Sequence, residues 1–348
     1  MKKVVIITGG SGGHVIPSLS IYDHLKESFK VEIVTDNRGE KFINKNNYKF
    51  SLINVPNLFV NLYLLPLKLI YFFISIIKSL FYLKRKNFDI LISTGGYMSI
   101  PFCIASYFLN IKIILFEPNS VLGRANKFML RFSKKIICID KNLKLFPEKY
   151  RNKIYLSDSI LRKEIYFNKK NENKNFSVKK KILIIGGSQG ARFFDDNIFY
   201  LICKLSENVE VELYQQVFDD NKKKVLEKKY QDLKIKNKLF KFEENLFEKY
   251  SNFDLAITRS GASAISELSY FNVPFIAIPF PHAKDNHQYY NAMYYAEQSC
   301  CWIINQKDYN LYRINEFIIN LFNKNSDYFE KKNNLSKITN QNTWNNIN

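Results

Sequence analysis

One pattern occurs twice in this chain and constrains its fold more than any other feature. The apolar run 4–7 (VVII) leads into a glycine-rich loop at 8–14 (TGGSGGH) and a helix, and the run 181–185 (KILII) leads into 186–192 (GGSQGAR) and another helix. A buried strand, a glycine loop and a helix form the first unit of a doubly wound parallel sheet. Because the pattern restarts midway along 348 residues, we predict an α/β protein with two Rossmann-like domains facing a cleft.

The domain boundaries follow from further apolar runs and from one change in composition. After residue 162 the sequence becomes rich in lysine, asparagine and glutamate, which is typical of an exposed linker. We predict an N-terminal domain over 1–160, a linker over 161–180, a C-terminal domain over 181–325 and a polar tail over 326–348. Other buried strands are expected at 31–35, 89–93, 112–116, 136–139, 255–257 and 274–278.

The charge of +20 suits an anionic partner such as a membrane, a nucleotide or a nucleic acid. Much of the lysine, however, lies with asparagine in surface-like runs, and no recognition motif for DNA or RNA accompanies it. We therefore expect no nucleic-acid partner. The five cysteines show no Cys-x-x-Cys spacing, which fits a reducing cytosol without a disulfide framework or zinc site.

The stretch 258–288 combines two predicted strand ends with polar side chains. Small residues at 260–263 would let a ligand approach the backbone and the free N–H groups of the helix that follows. The Glu267 carboxylate could accept two ribose hydroxyls, as an acidic residue does in dinucleotide folds. The alternative is a simple helix cap by Ser260 or Ser263, with Glu267 satisfying the helix dipole.

The first glycine loop is neither a P-loop nor a Gly-x-Gly-x-x-Gly fingerprint. Its glycines would still let a phosphate or a sugar lie against the backbone. His14 ends the loop at the point where strand ends meet ligands. A histidine at a helix start is often structural, but this position favours a role in the site.

The segment 60–86 (VNLYLLPLKLIYFFISIIKSLFYLKRK) is unusually apolar. Its polar residues are spaced by three and four, which places them on one helical stripe. The broad apolar and aromatic face, with basic ends, suits a helix in the interface of an anionic membrane. The alternatives are a helix buried on the sheet and a transmembrane span. The stripe comprises Lys68, Tyr71, Ser75, Lys78, Tyr82 and Arg85.

Six motifs, at 8–14, 93–99, 117–119, 186–192, 259–267 and 279–288, resemble in order and spacing those of the MurG family. The resemblance implies a GT-B glycosyltransferase that moves GlcNAc from UDP-GlcNAc to the C4 hydroxyl of MurNAc in lipid I. The transfer inverts the anomeric centre and gives lipid II for peptidoglycan synthesis. It also implies a peripheral enzyme on the cytoplasmic face of the bacterial inner membrane, with UDP-GlcNAc, lipid I and the anionic membrane surface as partners.

The resemblance assigns roles residue by residue. The donor sugar is expected at Ser11, Gly12, Gly13 and Asn119, and the pyrophosphate loop contains Ser188. Arg162 lies near the nucleotide, the backbone of Glu243 meets uracil, and Gln288 contacts GlcNAc. Phosphate and ribose are assigned to Ala262, Ser263, Ala264, Ile265, Ser266 and Glu267.

The sequence departs from the family at 116–118 (FEP), at 157–159 (SDS) and at Glu243, which replaces an apolar residue. We predict that His14 is the general base, because imidazole titrates near the working pH; Glu117 could instead orient the acceptor. Since no Asp-x-Asp pair occurs, we expect no metal and no cofactor. Alternative functions are glycosyl transfer to another membrane lipid such as diacylglycerol, UDP-GlcNAc 2-epimerisation, or nucleotide-sugar or nucleic-acid binding without catalysis.

Overall fold

Two units make up the chain, and each begins with one copy of the strand, glycine loop and helix pattern. The structure, a computed structural model, describes residues 1–56, 63, 65–168, 178–187, 192–243 and 245–347. The first unit contains residues 1–166 and 343–348, and the second contains 167–342. The start of the predicted apolar helix (60–62), the middle of the predicted linker (169–177) and positions 188–191 lie outside the described residues.

Within the described residues, the first unit has a seven-stranded parallel sheet in the order β3-β2-β1-β4-β5-β6-β7. Its strands are β1 (Lys3–Ile7), β2 (Lys30–Thr35), β3 (Phe50–Leu52), β4 (Ile90–Ser93), β5 (Lys112–Glu117), β6 (Lys135–Cys138) and β7 (Ile154–Leu156). Its helices are α1 (Gly12–Leu25), α2 (Leu65–Lys86), α3 (Ser99–Phe108), α4 (Arg124–Met129) and α5 (Lys163–Tyr166).

The described part of the second unit has a six-stranded parallel sheet in the order β10-β9-β8-β11-β12-β13. Its strands are β8 (Lys180–Ile185), β9 (Val211–Gln216), β10 (Lys236–Phe240), β11 (Leu255–Thr258), β12 (Phe275–Ala277) and β13 (Trp302–Ile303). Its helices are α6 (Arg192–Ser206), α7 (Asp220–Asp232), α8 (Ala262–Tyr270), α9 (His287–Ala296), α10 (Leu311–Lys324) and α11 (Ser326–Thr339). The short α12 (Trp344–Ile347) belongs to the first unit.

The central strands explain why the sequence reads as continuous apolar runs. In β1, Val4 lies beside Val31 on one side and Ile90 on the other, and helices cover both faces of the sheet. The predicted fold class is therefore confirmed, together with the predicted strands at both sheet centres. The sequence analysis missed β3, β7, β9, β10 and β13. Strand β10, for example, lies at the edge of its sheet and begins Lys-Asn-Lys, so it lacks the continuous apolar run that indicates a buried strand.

The segment 326–348, predicted as a polar tail, contains two helices instead. In α11 the buried residues Tyr328, Lys332, Leu335 and Thr339 recur at helical spacing, and the Tyr328 hydroxyl donates to the Asp254 carbonyl at 2.7 Å. This single narrow stripe is sufficient for packing, although the composition is polar. Trp344 of α12 stacks on His24 with ring centroids 3.9 Å apart.

The long helix α2 exposes large apolar side chains, whereas a surface helix of a globular protein usually exposes polar ones. Its buried face carries Ser75, Ser79 and Leu83. The helix packs against α3, and Leu83 belongs to the same apolar core as Val5 of β1 and Phe102 of α3. The two serine hydroxyls donate to the carbonyls one turn earlier, at 2.8 Å each, so neither is left unsatisfied. The predicted polar stripe is thus wrong at Ser75, which is 5% exposed, and at Tyr82, which is half-buried.

The opposite face of α2 is apolar and exposed. We call it the outer face, and its side chains are 38–67% exposed: Leu67, Ile70, Phe73, Ile74, Ile77 and Phe81. Residues 66–86 are long and apolar enough to cross a bilayer by length and composition, and only 17% of their most apolar window is buried. The alternative of a helix wholly buried on the sheet is therefore wrong. Tyr82 and Lys86 anchor the end of α2 to Glu32 of β2, at 2.6 Å and 3.3 Å.

Substitutions on the two faces of α2 should differ in how much they lower the free energy of unfolding. Leu83→Ala should lower the free energy of unfolding by about 2–5 kcal/mol, because a fully buried side chain leaves a cavity. Ile77→Ala, on the outer face of the same helix, should change it by less than about 0.5 kcal/mol. Urea unfolding of the full chain measures both values. Equal losses for the two variants would contradict the observed orientation of α2.

Candidate active site

The first glycine loop connects β1 to α1 and needs its glycines. Gly10 has φ +85°, in the left-handed region that other residues rarely adopt. At Gly9 a Cβ atom would lie 2.8 Å from the Met98 sulfur, so a side chain does not fit. Of the predicted donor-sugar residues, Ser11 and Gly13 are exposed and Gly12 is buried. The two exposed positions can be reached by a ligand at the carboxyl edge of the sheet.

His14 lies between this loop and the loop that follows β4. Its Nδ1 is 2.9 Å from the Thr94 carbonyl oxygen. Since a carbonyl only accepts, Nδ1 carries the proton, and the neutral ring has its lone pair on Nε2. Gly95 and Gly96 both have positive φ, and a Cβ at either would lie within 3.6 Å of the imidazole. The loop after β4 therefore orients His14 and leaves Nε2 as its basic nitrogen.

Asp36 stabilises the first glycine loop through hydrogen bonds, a role that was not predicted from the sequence. Its carboxylate accepts from the backbone N–H of Gly10 at 2.9 Å, from that of Gly39 at 2.8 Å and from the Arg38 guanidinium. Burial opposes ionisation of this group, but these donors outweigh burial and lower the pKa of Asp36. In dinucleotide folds the acidic residue after the second strand binds ribose. Here the corresponding carboxylate, Asp36, accepts hydrogen bonds from the protein's own loops instead. Its position directly after β2 is the signal by which the sequence could have identified it.

Glu117 ends β5 and organises the loop that follows. It is 3% exposed and accepts from the Asn119 amide at 2.9 Å, from the Gly123 N–H at 2.9 Å and from the Asn126 amide at 3.0 Å. Both carboxylate oxygens are therefore engaged within the chain. This arrangement disfavours the idea that Glu117 orients an acceptor. It fixes the half-buried Asn119 amide instead, despite the departure from the family at 116–118.

In the second unit, open space lies beside two glycines at the carboxyl edge of the sheet. Gly187 has φ +86°, and no atom of the described residues lies within 4 Å of a Cβ built on Gly187 or on Gly261. The Gly186 N–H donates to the Gln216 side chain at 3.0 Å, which fixes the start of the loop. The predicted pyrophosphate residue Ser188 lies outside the described residues.

Helix α8 begins next to this open space without a side-chain cap. Gly261 is its N-cap residue, so the alternative of a cap by Ser260 or Ser263 is wrong. The first-turn residues Ala262, Ser263 and Ala264 are half-buried, and Ile265, Ser266 and Glu267 are buried. The free N–H groups of this turn can hold an anion.

Glu267 lies in the second turn of α8 and is 9% exposed. Its Oε2 accepts a hydrogen bond from the Tyr250 hydroxyl at 3.2 Å. Tyr250 was also missed by the sequence analysis, because the contact joins separate elements. Glu243, at the predicted uracil position, forms ion pairs with Lys249 and, at 3.2 Å, with Lys238. Its side chain is thus engaged by the protein, which leaves its backbone for the predicted contact.

Arg259 directly follows β11 and is 5% exposed. It donates to the carbonyls of Ile278 and Pro279, at 2.9 and 3.0 Å, and to the Gln306 side chain at 2.7 Å. Burial lowers its pKa to about 10. Arg259 thereby holds the end of β12, from which the Phe280 N–H donates to the Gln288 side-chain oxygen at 3.0 Å. Among the described residues, no hydrogen bond engages the Gln288 NH2 group.

Arg162, the remaining predicted site residue, lies in the first unit just before α5. It is half-buried, and its positive charge acts on Tyr48. Its assignment to the nucleotide stays a prediction. In the first unit the fold brings together His14 and the first glycine loop. In the second, the Asn291 side chain of α9 donates to the Ser260 carbonyl at 3.1 Å, so α9, which carries Gln288 in its first turn, lies beside the start of α8.

Comparisons with known proteins match this architecture along the chain. Residues 4–138 match the glycosyltransferase family 28 N-terminal domain, and residues 181–344 match the family 28 C-terminal domain. The chain is 44% identical, over 100% of its length and 97% of the relative's, to a protein of Pelagibacter ubique (strain HTCC1062). That relative is named UDP-N-acetylglucosamine--N-acetylmuramyl-(pentapeptide) pyrophosphoryl-undecaprenol N-acetylglucosamine transferase.

Two solved structures are similar in fold. MurG of Acinetobacter baumannii has a TM-score of 0.77 at 22% identity, covering 97% of this chain and 95% of that one. A putative UDP-N-acetylglucosamine 2-epimerase from Listeria monocytogenes has a TM-score of 0.63 at 11% identity, with coverages of 95% and 90%. Both likenesses concern the fold, which is that of GT-B glycosyltransferases.

The network around Asp36 predicts a pH-dependent contribution to stability. Asp36→Asn should lower the free energy of unfolding by about 1–3 kcal/mol at pH 7, because hydrogen bonds to a charged acceptor are lost. The folded pKa lies below the unfolded value of about 3.9, so this contribution is present above pH 4 and disappears as pH falls through the folded pKa. Urea unfolding between pH 7 and pH 3 should show the two proteins converging.

The exposed Asp232 supplies the control, since Asp232→Asn should leave stability nearly unchanged at each pH. A constant difference between wild type and Asp36→Asn across this range would contradict the network.

Proposed function

This chain belongs to glycosyltransferase family 28 and, within it, to the MurG family, and from this premise we propose its reaction. It transfers GlcNAc from UDP-GlcNAc to the C4 hydroxyl of MurNAc in lipid I, with inversion, and so forms lipid II for peptidoglycan synthesis. The observation that carries the proposal is the 44% identity along the whole chain to a relative named for this transfer. The likeness to an epimerase, at 11% identity, extends to the fold alone.

In the first unit we assign the general base to His14. As the C4 hydroxyl oxygen bonds to the anomeric carbon of GlcNAc, the bond from that carbon to the UDP oxygen breaks, and Nε2 takes the hydroxyl proton. The hydrogen bond from Nδ1 to the Thr94 carbonyl supports this role, because it fixes the tautomer and stabilises the imidazolium that forms. Asn119 and the exposed loop positions Ser11 and Gly13 would contact the sugar.

In the second unit the residues around α8 would bind the leaving nucleotide. The free N–H groups at its start face open space, which suits the diphosphate as it gains negative charge. Glu267 would accept the ribose hydroxyls, and the Gln288 NH2 group would donate to a GlcNAc hydroxyl. The backbone near Glu243 would meet uracil.

An assay with two acceptors tests the reaction. The purified protein with UDP-GlcNAc should glycosylate lipid I and leave diacylglycerol unchanged. His14→Ala should lower kcat by roughly 10²–10⁴-fold, the usual contribution of a general base, with little change in the affinity for UDP. Product formation is followed by chromatography of radiolabelled lipid, and UDP affinity by calorimetry.

Each outcome removes a different part of the proposal. Activity on diacylglycerol alone would replace the acceptor, and release of free N-acetylmannosamine would indicate an epimerase. A kcat unchanged in His14→Ala would remove His14 from the mechanism while leaving the reaction in place.

We also propose that the outer face of α2 binds the cytoplasmic surface of the inner membrane, where the lipid-linked acceptor lies. This face is apolar and exposed, and the exposed Lys78, Lys84 and Arg85 border it. Apolar burial in the headgroup layer together with basic residues near anionic lipid is the usual basis of interfacial binding.

The contacts of α2 favour peripheral binding over a transmembrane span. Its inner face packs on α3, and Tyr82 and Lys86 bond to Glu32 of β2. The strands before and after it, β3 and β4, belong to the same sheet. Insertion across a bilayer would break these contacts and separate the strands.

Replacing Phe73, Ile77 and Phe81 with serine should weaken binding to vesicles that contain phosphatidylglycerol by at least about tenfold. Three half-exposed apolar side chains bury enough area for this in the headgroup layer. Sedimentation measures the binding, which should fall with added salt for the wild type. Because these side chains are exposed, the thermal melt and UDP affinity should stay unchanged.

A matched variant has Tyr200, Val225 and Tyr312 replaced by serine. These residues are exposed on helices of the second unit and should leave vesicle binding intact. If both variants bind alike, or if the wild type does not sediment with anionic vesicles, the outer face of α2 is not a membrane surface.

A further inference from the structure

One buried hydrogen bond of the second unit joins Tyr250 to Glu267, the residue proposed to bind ribose. Tyr250 lies seven residues after Glu243, the proposed uracil position. Tyr250 is 3% exposed, and its hydroxyl donates to Glu267 Oε2 at 3.2 Å. Its ring packs edge-on against Phe271, which follows α8, with centroids 5.5 Å apart. The hydroxyl is thus held at a fixed place beside the carboxylate.

The segment that carries Tyr250 is itself tied to Glu243. Residues Leu246–Asn252 form a short 3-10 helix, and Lys249 within it forms an ion pair with the Glu243 carboxylate. Adjacent residues of one rigid turn therefore contact both Glu243 and Glu267. The two positions expected to meet uracil and ribose are connected through Lys249 and Tyr250.

We infer that Tyr250 is a positioning residue for nucleotide recognition: it sets where the Glu267 carboxylate meets the ribose relative to the base. This inference rests on the proposed role of Glu267 in binding ribose. A carboxylate on a helix has several rotamers, and a buried hydroxyl bond selects one of them. Without that bond, Glu267 loses one of the contacts that fix its geometry, so selectivity for an intact ribose should fall.

The test compares UDP with an analogue that lacks both ribose hydroxyls, 2′,3′-dideoxy-UDP. Wild type should prefer UDP, and Tyr250→Phe should weaken UDP binding by roughly 5–10-fold, in the range for one ordinary hydrogen bond. Its affinity for the dideoxy analogue should not change. Calorimetry on the full chain gives all four dissociation constants. A Tyr250→Phe variant that discriminates as well as wild type would overturn the inference.

Glu267→Gln separates failure of the inference from failure of the proposed function. If Glu267→Gln loses discrimination and Tyr250→Phe keeps it, Glu267 binds ribose without help from Tyr250. If Glu267→Gln still discriminates, the ribose role of Glu267 is itself wrong. The double variant should be no weaker than Glu267→Gln alone, because the two residues act through one contact.

Tyr328→Phe is the matched control, since it removes another buried hydroxyl of the same unit, one that bonds to the Asp254 carbonyl. It should leave discrimination unchanged. If Tyr250→Phe does not fold, Glu267→Asp tests the same hydrogen bond by changing its acceptor instead of its donor. Its carboxylate is shorter by one methylene and cannot meet Tyr250 and ribose in the original geometry, so discrimination should fall. Discrimination like that of wild type in Glu267→Asp would reject the inference.

Discussion

Parallel pairing at the centre of each sheet is the constraint on which the rest of the structure depends. β1 pairs with β2 and β4, and β8 pairs with β9 and β11, all in the same direction. Parallel strands end at one edge, so every loop that carries a candidate site residue begins there. The glycine loops follow from this arrangement, because the chain must turn sharply into a helix and still leave room for a ligand.

Several charged side chains at these edges serve the protein and not a ligand. Asp36 accepts from the first glycine loop, Glu117 fixes the Asn119 amide, and Arg259 holds the end of β12. Each is buried, and each has its hydrogen-bonding capacity largely used within the chain. Burying a charge without partners would be costly, so these networks stabilise the loops in single conformations. The groups proposed to face a ligand, such as His14 Nε2, are then oriented in advance.

The helix α2 shows how a fold can leave apolar area on its surface. Ser75, Ser79 and Leu83 are buried on its inner side, while Phe73, Ile77 and Phe81 are exposed on its outer face. A soluble monomer gains nothing from this arrangement, since exposed apolar patches mark contact with a partner or a membrane. The same orientation explains how the helix can be apolar enough to cross a bilayer and still remain anchored to the sheet by Glu32.

The sequence by itself determined the fold class and most of the candidate site residues. Continuous apolar runs specify parallel strands buried on both faces, and glycine loops with ordered motifs specify a family. The sequence could not determine which polar groups face a ligand, because their partners lie far along the chain. Asp36 bonds to Gly10 and Tyr250 to Glu267, and only the packed tertiary structure brings these pairs together. The orientation of α2 was decided in the same way: two members of its predicted polar stripe, Ser75 and Tyr82, turned inwards, and the Tyr82 ring lies beside Phe102 of α3.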